Sequence, residues 1–280
     1  MARPLRCEYP GAYYHVTARG NDRTLIFRGR ADYEAFLAAF ELVIERYRWV
    51  CHAYCLMGNH YHLLLQTREA NLAVGMRQLN GVYAQGFNRR HGRVGHVFEG
   101  RYAAILVETE RYLLSLARYI LRNPSTAGLC TQPGEWLWSS YRALLGQAPC
   151  PPLLECSLLL GGSGEQVKAQ RAALARFIED GEGPAPWTEL KGTFLGSDRF
   201  ARAMGRRATS NEIPRRQRDP VRPELRALLR TGSGAEIARA HREHGYRLNE
   251  IATVLGIHYA TAGRRLRAWE EGRPMLQRKT

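Results

Sequence analysis

Apolar residues in the first hundred positions follow two different spacings, one typical of strands and one typical of helices. Residues 12–18 are aromatic and β-branched, a composition that suits a half-buried strand. Residues 32–48 place apolar side chains at 36, 37, 40, 43, 44 and 47, which is a helical period. The pattern predicts strands over 12–18, 50–57, 60–66 and 97–107, and helices over 32–48 and 71–90.

These elements follow one another in the order β-α-β-β-α-β, which is the ferredoxin-like pattern. We therefore expect an α+β fold in which two helices cover one face of a small antiparallel sheet. Gly58 and Asn59 lie between the second and third strands, and this dipeptide predicts a two-residue hairpin turn.

The third strand carries two histidines at alternate positions. Side chains alternate across a strand, so His60 and His62 share one face, while Tyr61, Leu63 and Leu65 share the other. Two imidazoles one pleat apart can bind one metal ion, and the leucine face anchors the strand in a core. The alternative is a pair of partly buried histidines without a ligand.

A further helix is predicted from Thr109, its N-cap, to the region of Arg122, because Pro124 should stop it. Tyr119 and Asn123 are four residues apart and therefore share a face of this helix. The amide oxygen could be a third metal ligand and the phenol a nucleophile. Alternatively, Tyr119 packs in the core and Asn123 caps the helix.

The C-terminal region predicts three short helices, over 235–244, 248–255 and 259–269, with a turn at Gly256-Ile257. It resembles the helix-turn-helix of bacterial DNA-binding proteins, in which the last helix enters the major groove. The alternative is a plain three-helix tail. We predict three regions: residues 1–148, a helical connector over 149–220, and a helix-turn-helix domain over 221–280. The residues expected to face DNA are His258, Tyr259, Thr261, Arg264 and Arg265.

The charge of the chain indicates a polyanionic partner. There are 41 basic and 26 acidic residues, a net charge of +15, of which residues 196–280 carry +10 with 19 basic and 9 acidic residues. Arginine matches phosphate oxygens well, although a high arginine content can also reflect genome composition. The predicted DNA contacts in the N-terminal region are Arg19, Arg23, Arg89, Arg90, Arg101 and Arg122.

The six cysteines are scattered without a zinc-type spacing, and we interpret them as reduced packing residues. No segment of 18 apolar residues occurs, and the N-terminus lacks an apolar secretory core. We therefore predict a cytoplasmic protein without a membrane span.

Five motifs in order resemble a known family over residues 8–146. His60-Tyr61-His62 resembles the HUH motif, and residues 118–124 (Arg-Tyr-Ile-Leu-Arg-Asn-Pro) are similar to the tyrosine motif of REP-associated tyrosine transposases. These are domesticated relatives of the single-tyrosine HUH transposases of bacterial insertion sequences. The other matching stretches are residues 9–20, 95–102 and 136–141.

The resemblance implies cleavage and joining of single-stranded DNA that carries hairpins. It assigns His60 and His62 as metal ligands, Asn123 as the third ligand and Tyr119 as the nucleophile. A histidine–amide set with open positions suits Mg²⁺ or Mn²⁺, and imidazole favours Mn²⁺. Attack by Tyr119 would leave a 5′-phosphotyrosine and a free 3′-OH.

Two positions depart from the family pattern. The family usually reads Asn-Pro-Val-Arg-Ala-Gly after the tyrosine, whereas residues 123–128 read Asn-Pro-Ser-Thr-Ala-Gly, so Arg122 is the candidate substitute for the missing arginine. Gly58 stands where the family often has proline. We predict a monomeric, metal-dependent DNA strand transferase that also binds duplex through its C-terminal domain. The alternative is a catalytically silent DNA- or RNA-binding regulator on the same scaffold.

Overall fold

The computed structural model describes residues 7–156, 159, 166–180, 186–207 and 223–272. The first six elements follow the predicted β-α-β-β-α-β order: β1 (Ala12–Arg19), α1 (Arg30–Tyr47), β2 (Trp49–Leu56), β3 (His60–Thr67), α2 (Leu72–Arg90) and β4 (Ala103–Val107). They continue into α3 (Thr109–Thr126), α4 (Tyr141–Leu144), α5 (Gln166–Glu179), β5 (Leu190–Lys191) and β6 (Phe194–Leu195).

The chain divides into two compact units. The first comprises residues 8–190 and 194–196, and the second comprises Cys7 and the described parts of 191–193 and 197–280. The boundaries predicted near residues 148 and 220 stay a prediction, and residues 208–222 lie outside the described part of the chain.

The fold is mixed α/β and contains a six-stranded sheet in the order β2-β3-β1-β4-β6-β5. β1 pairs antiparallel with both β3 and β4, and it places Thr17 opposite His62 and Arg19 opposite His60. The pairing of β4 with β6 is parallel. The strands β5 and β6 were not predicted, because two residues are too few to show a periodicity.

The main core lies between the sheet and the first two helices. The Tyr61 ring is fully buried 4.8 Å from Phe36 of α1, and its hydroxyl donates to the Asn80 side chain of α2 at 2.6 Å. The predicted alternation of β3 is therefore confirmed: Tyr61 faces α1 and α2. Leu63, Leu64 and Leu65 are all fully buried, so the neighbouring strands and helices cover both faces of β3.

Two predicted boundaries were wrong. The strand expected over 97–107 begins only at Ala103, since the glycine-containing segment before it forms a single bridge between Phe98 and Gly20. The helix expected to stop before Pro124 continues to Thr126. Proline here removes one backbone donor in the last turn, and the turn still closes through the bond from the Ala127 N–H to the Asn123 carbonyl at 2.9 Å.

The second unit contains the three helices predicted near the C-terminus. In its described residues the helices are α6 (Asp198–Arg207), α7 (Leu225–Leu228), α8 (Gly234–Ala238), α9 (Leu248–Leu255) and α10 (Tyr259–Glu270). A π-helical turn, Arg239–Glu243, extends α8. Ile237, Ile251, Ala262 and Leu266 are buried together, and Leu255 and Ile257 pack against them.

Among the described residues, no helix is both long enough and apolar enough to span a membrane.

Candidate active site

The first histidine of the pair lies at the beginning of β3, next to the hairpin turn. The Nδ1 atom of His60 is 2.6 Å from the Oδ1 atom of Asn59, whose amide nitrogen donates to the Arg23 carbonyl at 3.1 Å. Because that second bond turns the amide oxygen toward the ring, the Nδ1 atom of His60 must be the donor. Burial, with a smaller effect of the Arg19 charge, lowers the pKa of His60 to about 4, so the ring is neutral at pH 7. Its Nε2 atom therefore carries a lone pair.

The second histidine is buried against another histidine that the sequence analysis did not select. The Nδ1 atom of His62 lies 2.9 Å from the Nε2 atom of His15 on β1, and the two rings meet edge to edge with their planes 3° apart. Within the described residues, the buried Nε2 atom of His62 has no hydrogen bond of good geometry, although the Asn123 side chain is close enough to interact with the ring. Burial lowers the pKa of His15 to about 3 and, together with the charges of the neighbouring histidines and Arg19, moves the pKa of His62 well below its ordinary value.

The helix α3 crosses this face of the sheet and brings Tyr119 to the histidines. The Tyr119 ring meets His62 edge-on at 5.7 Å between centroids and His15 at 6.2 Å. Trp187 covers the same group of rings, 4.8 Å from Tyr119 and 5.1 Å from His15. Tyr119 is half-buried, so its ring is held by packing on several sides while part of the side chain still meets solvent.

Asn123 lies one turn after Tyr119 on α3. Its amide nitrogen donates to the Tyr119 carbonyl at 3.2 Å, which leaves the amide oxygen for another partner. The Asn123 side chain is also a hydrogen-bond partner of the His62 ring, and this bond raises the pKa of His62 against the larger lowering effect of burial. The structure thus brings Tyr119, Asn123, His60 and His62 to one place, as the sequence predicted.

The donor set fits a divalent cation in part. Among the residues that the structure describes, no group of three or more His, Cys, Asp or Glu side chains is arranged to bind a metal ion. The predicted set needs only two such residues, since Asn123 would supply the third donor. The ring centroids of His60 and His62 are 5.0 Å apart, and the buried Nε2 atom of His62 has no hydrogen bond of good geometry in the described part of the chain. Such a nitrogen is costly to bury unless something binds it, so the two imidazoles and the Asn123 amide oxygen fit a divalent cation as three of its ligands.

A cavity of about 410 Å³ opens in front of the two histidines. Its wall includes Arg19 and Arg101, two exposed arginines from the predicted DNA contacts. Glu99 is the carboxylate among the lining residues, and the sequence analysis did not select it. The cavity therefore combines neutral imidazoles with guanidinium groups that suit a phosphate.

The remaining arginines that were expected to contact DNA in this unit occupy different environments. Arg23 and Arg89 are exposed. Arg90 forms an ion pair with the buried carboxylate of Asp32 at 2.6 Å. Arg122 donates to the carbonyls at the end of α5, to Ile178 at 3.0 Å and to Glu179 at 2.8 Å. Arg90 and Arg122 thus have structural partners, and their contact with DNA stays a prediction.

In the second unit, α10 presents part of the predicted recognition surface. His258, Tyr259 and Arg264 are exposed, and Thr261 is half-buried. Arg265 is different, since its guanidinium donates to the Gly232 carbonyl at 3.0 Å and so connects α10 to the segment before α8.

The residues that the sequence analysis missed are His15, Asn59 as a partner of His60, Glu99 and Trp187. The alternation of β1 does place His15 on the same face as Thr17, which pairs with His62. That pairing becomes known only when the strand register is known. For Trp187, no local pattern indicated contact with Tyr119.

Residues 8–123 match the family model described as IS200-like transposase. The resemblance to a transposase family that the motifs predicted is therefore confirmed over this region.

The particular resemblance to REP-associated tyrosine transposases is also confirmed. A Haemophilus influenzae protein named as a REP-associated tyrosine transposase is 26% identical over 143 residues, which cover 47% of this chain and 80% of that protein.

Two solved structures are also similar. A REP-associated tyrosine transposase bound to a REP hairpin is 17% identical, with a TM-score of 0.46 over 56% of this chain and 93% of that one. The tRNA(His) guanylyltransferase of Saccharomyces cerevisiae is 9% identical, with a TM-score of 0.35 over 70% of this chain and 88% of that one. Both TM-scores lie below 0.5, where a likeness of folds is not established.

Proposed function

We propose that the protein is a divalent-metal-dependent nuclease and strand transferase for single-stranded DNA that carries a hairpin, with Tyr119 as its nucleophile. The observation that carries the proposal is the position of Tyr119 on α3, edge-on to His62 at 5.7 Å between ring centroids, beside the buried Nε2 atom of His62. The match of residues 8–123 to a transposase family supports the same chemistry. The hairpin substrate follows from the resemblance to REP-associated tyrosine transposases.

Each residue of the site has a part in this proposal. His60, His62 and Asn123 would bind a Mg²⁺ or Mn²⁺ ion, which when bound polarises the scissile phosphate and offsets its charge. Arg19 and Arg101 line the cavity and would hold phosphate oxygens, since a guanidinium group matches them in charge and shape. The rings of His15 and Trp187 limit the positions that Tyr119 can adopt, which favours attack from one direction.

The proposed reaction exchanges one phosphoester bond for another. The phenolic oxygen of Tyr119 attacks the scissile phosphorus and loses its proton, and the bond between phosphorus and the 3′ oxygen breaks. The 3′ oxygen takes up a proton and leaves as a hydroxyl, while the 5′ phosphate stays bound to Tyr119. Attack by a 3′-hydroxyl reverses these steps and joins the strands.

The second unit supports a further part of the proposal, the binding of duplex DNA by a helix-turn-helix. Gly256 adopts a left-handed conformation with φ of 64° between α9 and α10, and the His258 side chain accepts from the Ala260 N–H at the start of α10. Leu266 and Ala262 are buried, whereas Tyr259 and Arg264 of the same helix are exposed. We infer that the exposed face of α10 contacts the major groove.

Covalent capture tests the chemistry. A library of labelled hairpin oligonucleotides with single-stranded flanks is incubated with the full chain and Mn²⁺, and the protein is then denatured and examined for bound label. We expect Tyr119→Phe to bind DNA and to leave no adduct. The matched control is Tyr112→Phe, two turns earlier on α3, whose hydroxyl bonds to Glu189 instead.

The outcomes separate the two function classes. An adduct on the unsubstituted chain and on Tyr112→Phe, with none on Tyr119→Phe, supports the transferase. An adduct that persists in Tyr119→Phe rejects this nucleophile. Tight DNA binding without any adduct on the unsubstituted chain would instead indicate the silent regulator.

A further inference from the structure

His15 lies at the centre of the group of rings, yet the proposed reaction gives it no contact with substrate. It is 3% exposed, and its Nε2 atom makes the 2.9 Å contact to the Nδ1 atom of His62. Its other nitrogen, Nδ1, has no hydrogen-bond partner among the described residues. A buried histidine with one polar contact, directed at a proposed metal ligand, calls for a functional explanation.

The neighbouring histidine shows what such a contact can do. The Asn59 amide accepts the Nδ1 hydrogen of His60 and thereby keeps the lone pair on the Nε2 atom. A histidine that binds a metal through Nε2 needs an acceptor of this kind for its Nδ1–H, and loss of the acceptor typically weakens metal binding 10- to 100-fold.

The hydrogen between the two rings can occupy either side. If His15 donates, the Nε2 atom of His62 carries a hydrogen and cannot bind a metal. If His62 donates, its Nε2 lone pair is available. In the second arrangement the Nδ1 atom of His62 donates its hydrogen. The acceptor is the Nε2 atom of His15, because that atom is in contact with the Nδ1 atom.

We propose that His15 is a positioning residue that accepts the Nδ1 hydrogen of His62 and so presents the Nε2 atom of His62 to the divalent cation. This inference rests on the proposed function, because it concerns the same cation. The two histidines of β3 would then be prepared in the same way, His60 by the adjacent Asn59 and His62 by His15 from the neighbouring strand.

The packing around His15 favours a fixed acceptor. Its ring meets the His62 ring edge to edge with centroids 5.1 Å apart, and Trp187 and Tyr119 contact it from other sides. These contacts hold the plane of the His15 ring and keep its outer edge against His62. The contact is therefore in place before a cation arrives, which lowers the cost of binding.

The test measures Mn²⁺ affinity of the full chain by electron paramagnetic resonance, without DNA. His15→Phe keeps a ring but removes the acceptor, and we expect the dissociation constant to rise 10- to 100-fold. His15→Gln restores an acceptor, and we expect affinity within a factor of about three of the unsubstituted chain. The matched control is His52→Phe, since His52 is equally buried but packs against Tyr13 on another part of the sheet.

A second measurement leaves the sequence unchanged, in case His15→Phe does not fold. Nitrogen-15 NMR of the Mg²⁺-loaded protein shows which ring nitrogens carry hydrogen, and we expect it on the Nδ1 atom of His62 and not on the Nε2 atom of His15.

The inference is overturned if His15→Phe binds Mn²⁺ as tightly as the unsubstituted chain does, or if His15→Gln and His15→Phe weaken Mn²⁺ binding equally. It is also overturned if the Nε2 atom of His15 carries hydrogen in the Mg²⁺-loaded protein. No Mn²⁺ binding by the unsubstituted chain would reject the metal site itself. If the chain binds Mn²⁺ in a manner that depends on His15 but forms no DNA adduct, the proposed transferase activity is rejected and the inference about His15 stands.

Discussion

Replacing Arg90 by alanine should destabilise the first unit, whereas replacing its neighbour Arg89 should not, although the two stand together in the sequence as a basic pair. The Asp32 carboxylate is 1% exposed and accepts from the Arg90 guanidinium at 2.6 Å. It also accepts from the Arg28 N–H at 2.8 Å and lies 3.0 Å from the Nε2 atom of His91. Arg89 is exposed.

The loss of stability in Arg90→Ala depends on the hydrogen-bond partners that the Asp32 carboxylate keeps. Leaving a buried charge without partners costs about 3–5 kcal/mol. In Arg90→Ala the carboxylate retains two of its partners, and the lost side chain is 35% exposed, so we expect a loss of about 2 kcal/mol, the scale of one hydrogen bond to a charged group. At roughly 2–4 °C per kcal/mol, the melting temperature falls by about 4–8 °C.

The loss of stability in Arg90→Ala should become smaller at acidic pH. Burial alone would raise the pKa of Asp32, but bonds from the Arg28 N–H, His91 and Arg90 outweigh it and hold the pKa below its ordinary value. Such a group stabilises the fold above the unfolded pKa and loses that contribution as pH falls through the folded pKa. The difference in the free energy of unfolding between Arg90→Ala and the unsubstituted chain should therefore have its full size at pH 7 and become smaller below about pH 4.

Thermal melting followed by circular dichroism, at several pH values, measures this effect. Arg89→Ala is the matched control, and it should melt like the unsubstituted chain while lowering the salt slope of single-strand binding by about 0.7. Equal melting temperatures for Arg90→Ala and the unsubstituted chain at pH 7, or a difference that grows in acid, would refute the reasoning.

Two further pairs of substitutions test the packing and the second unit. Gly75→Ala should destabilise by about 1–3 kcal/mol in urea unfolding, because the new Cβ would lie 2.2 Å from Trp49. Gly86→Ala, on the same helix with open space around it, should stabilise by up to about 1 kcal/mol. Arg264→Ala should make the salt slope of duplex binding shallower by about 0.9 at unchanged melting temperature. Arg265→Ala should lower the melting temperature, since its guanidinium bonds to a backbone carbonyl.

Much of the site could be predicted because its residues lie on regular elements. Strand alternation placed His60 and His62 opposite Tyr61, and the four-residue spacing placed Tyr119 and Asn123 on one face of α3. Both patterns are local, so they can be read without knowledge of the remaining chain. The end of α3 was predicted less well. Pro124 is a stop signal in the sequence, but the last turn still closes through the bond from the Ala127 N–H to the Asn123 carbonyl.

The parts that could not be predicted depend on residues far apart in the chain. His15 reaches His62 only through the register of β1 against β3, in which Thr17 lies opposite His62. A shift of one residue would turn His15 to the other face of the sheet. Trp187 is still more remote, since it follows the described part of α5 and approaches α3 from a short turn.

The arginines show why net charge overstates the number of DNA contacts. Composition treats every guanidinium alike, yet Arg90 holds a buried carboxylate, Arg122 bonds to the end of α5 and Arg265 bonds within its own unit. A guanidinium held by protein must give up those bonds before it can bind phosphate with its full set of donors. Arg19 and Arg101 are exposed on the wall of the histidine cavity, where a phosphate can reach them. The salt dependence of binding should therefore follow the exposed arginines at the cavity and on α10 more closely than the total charge of +15.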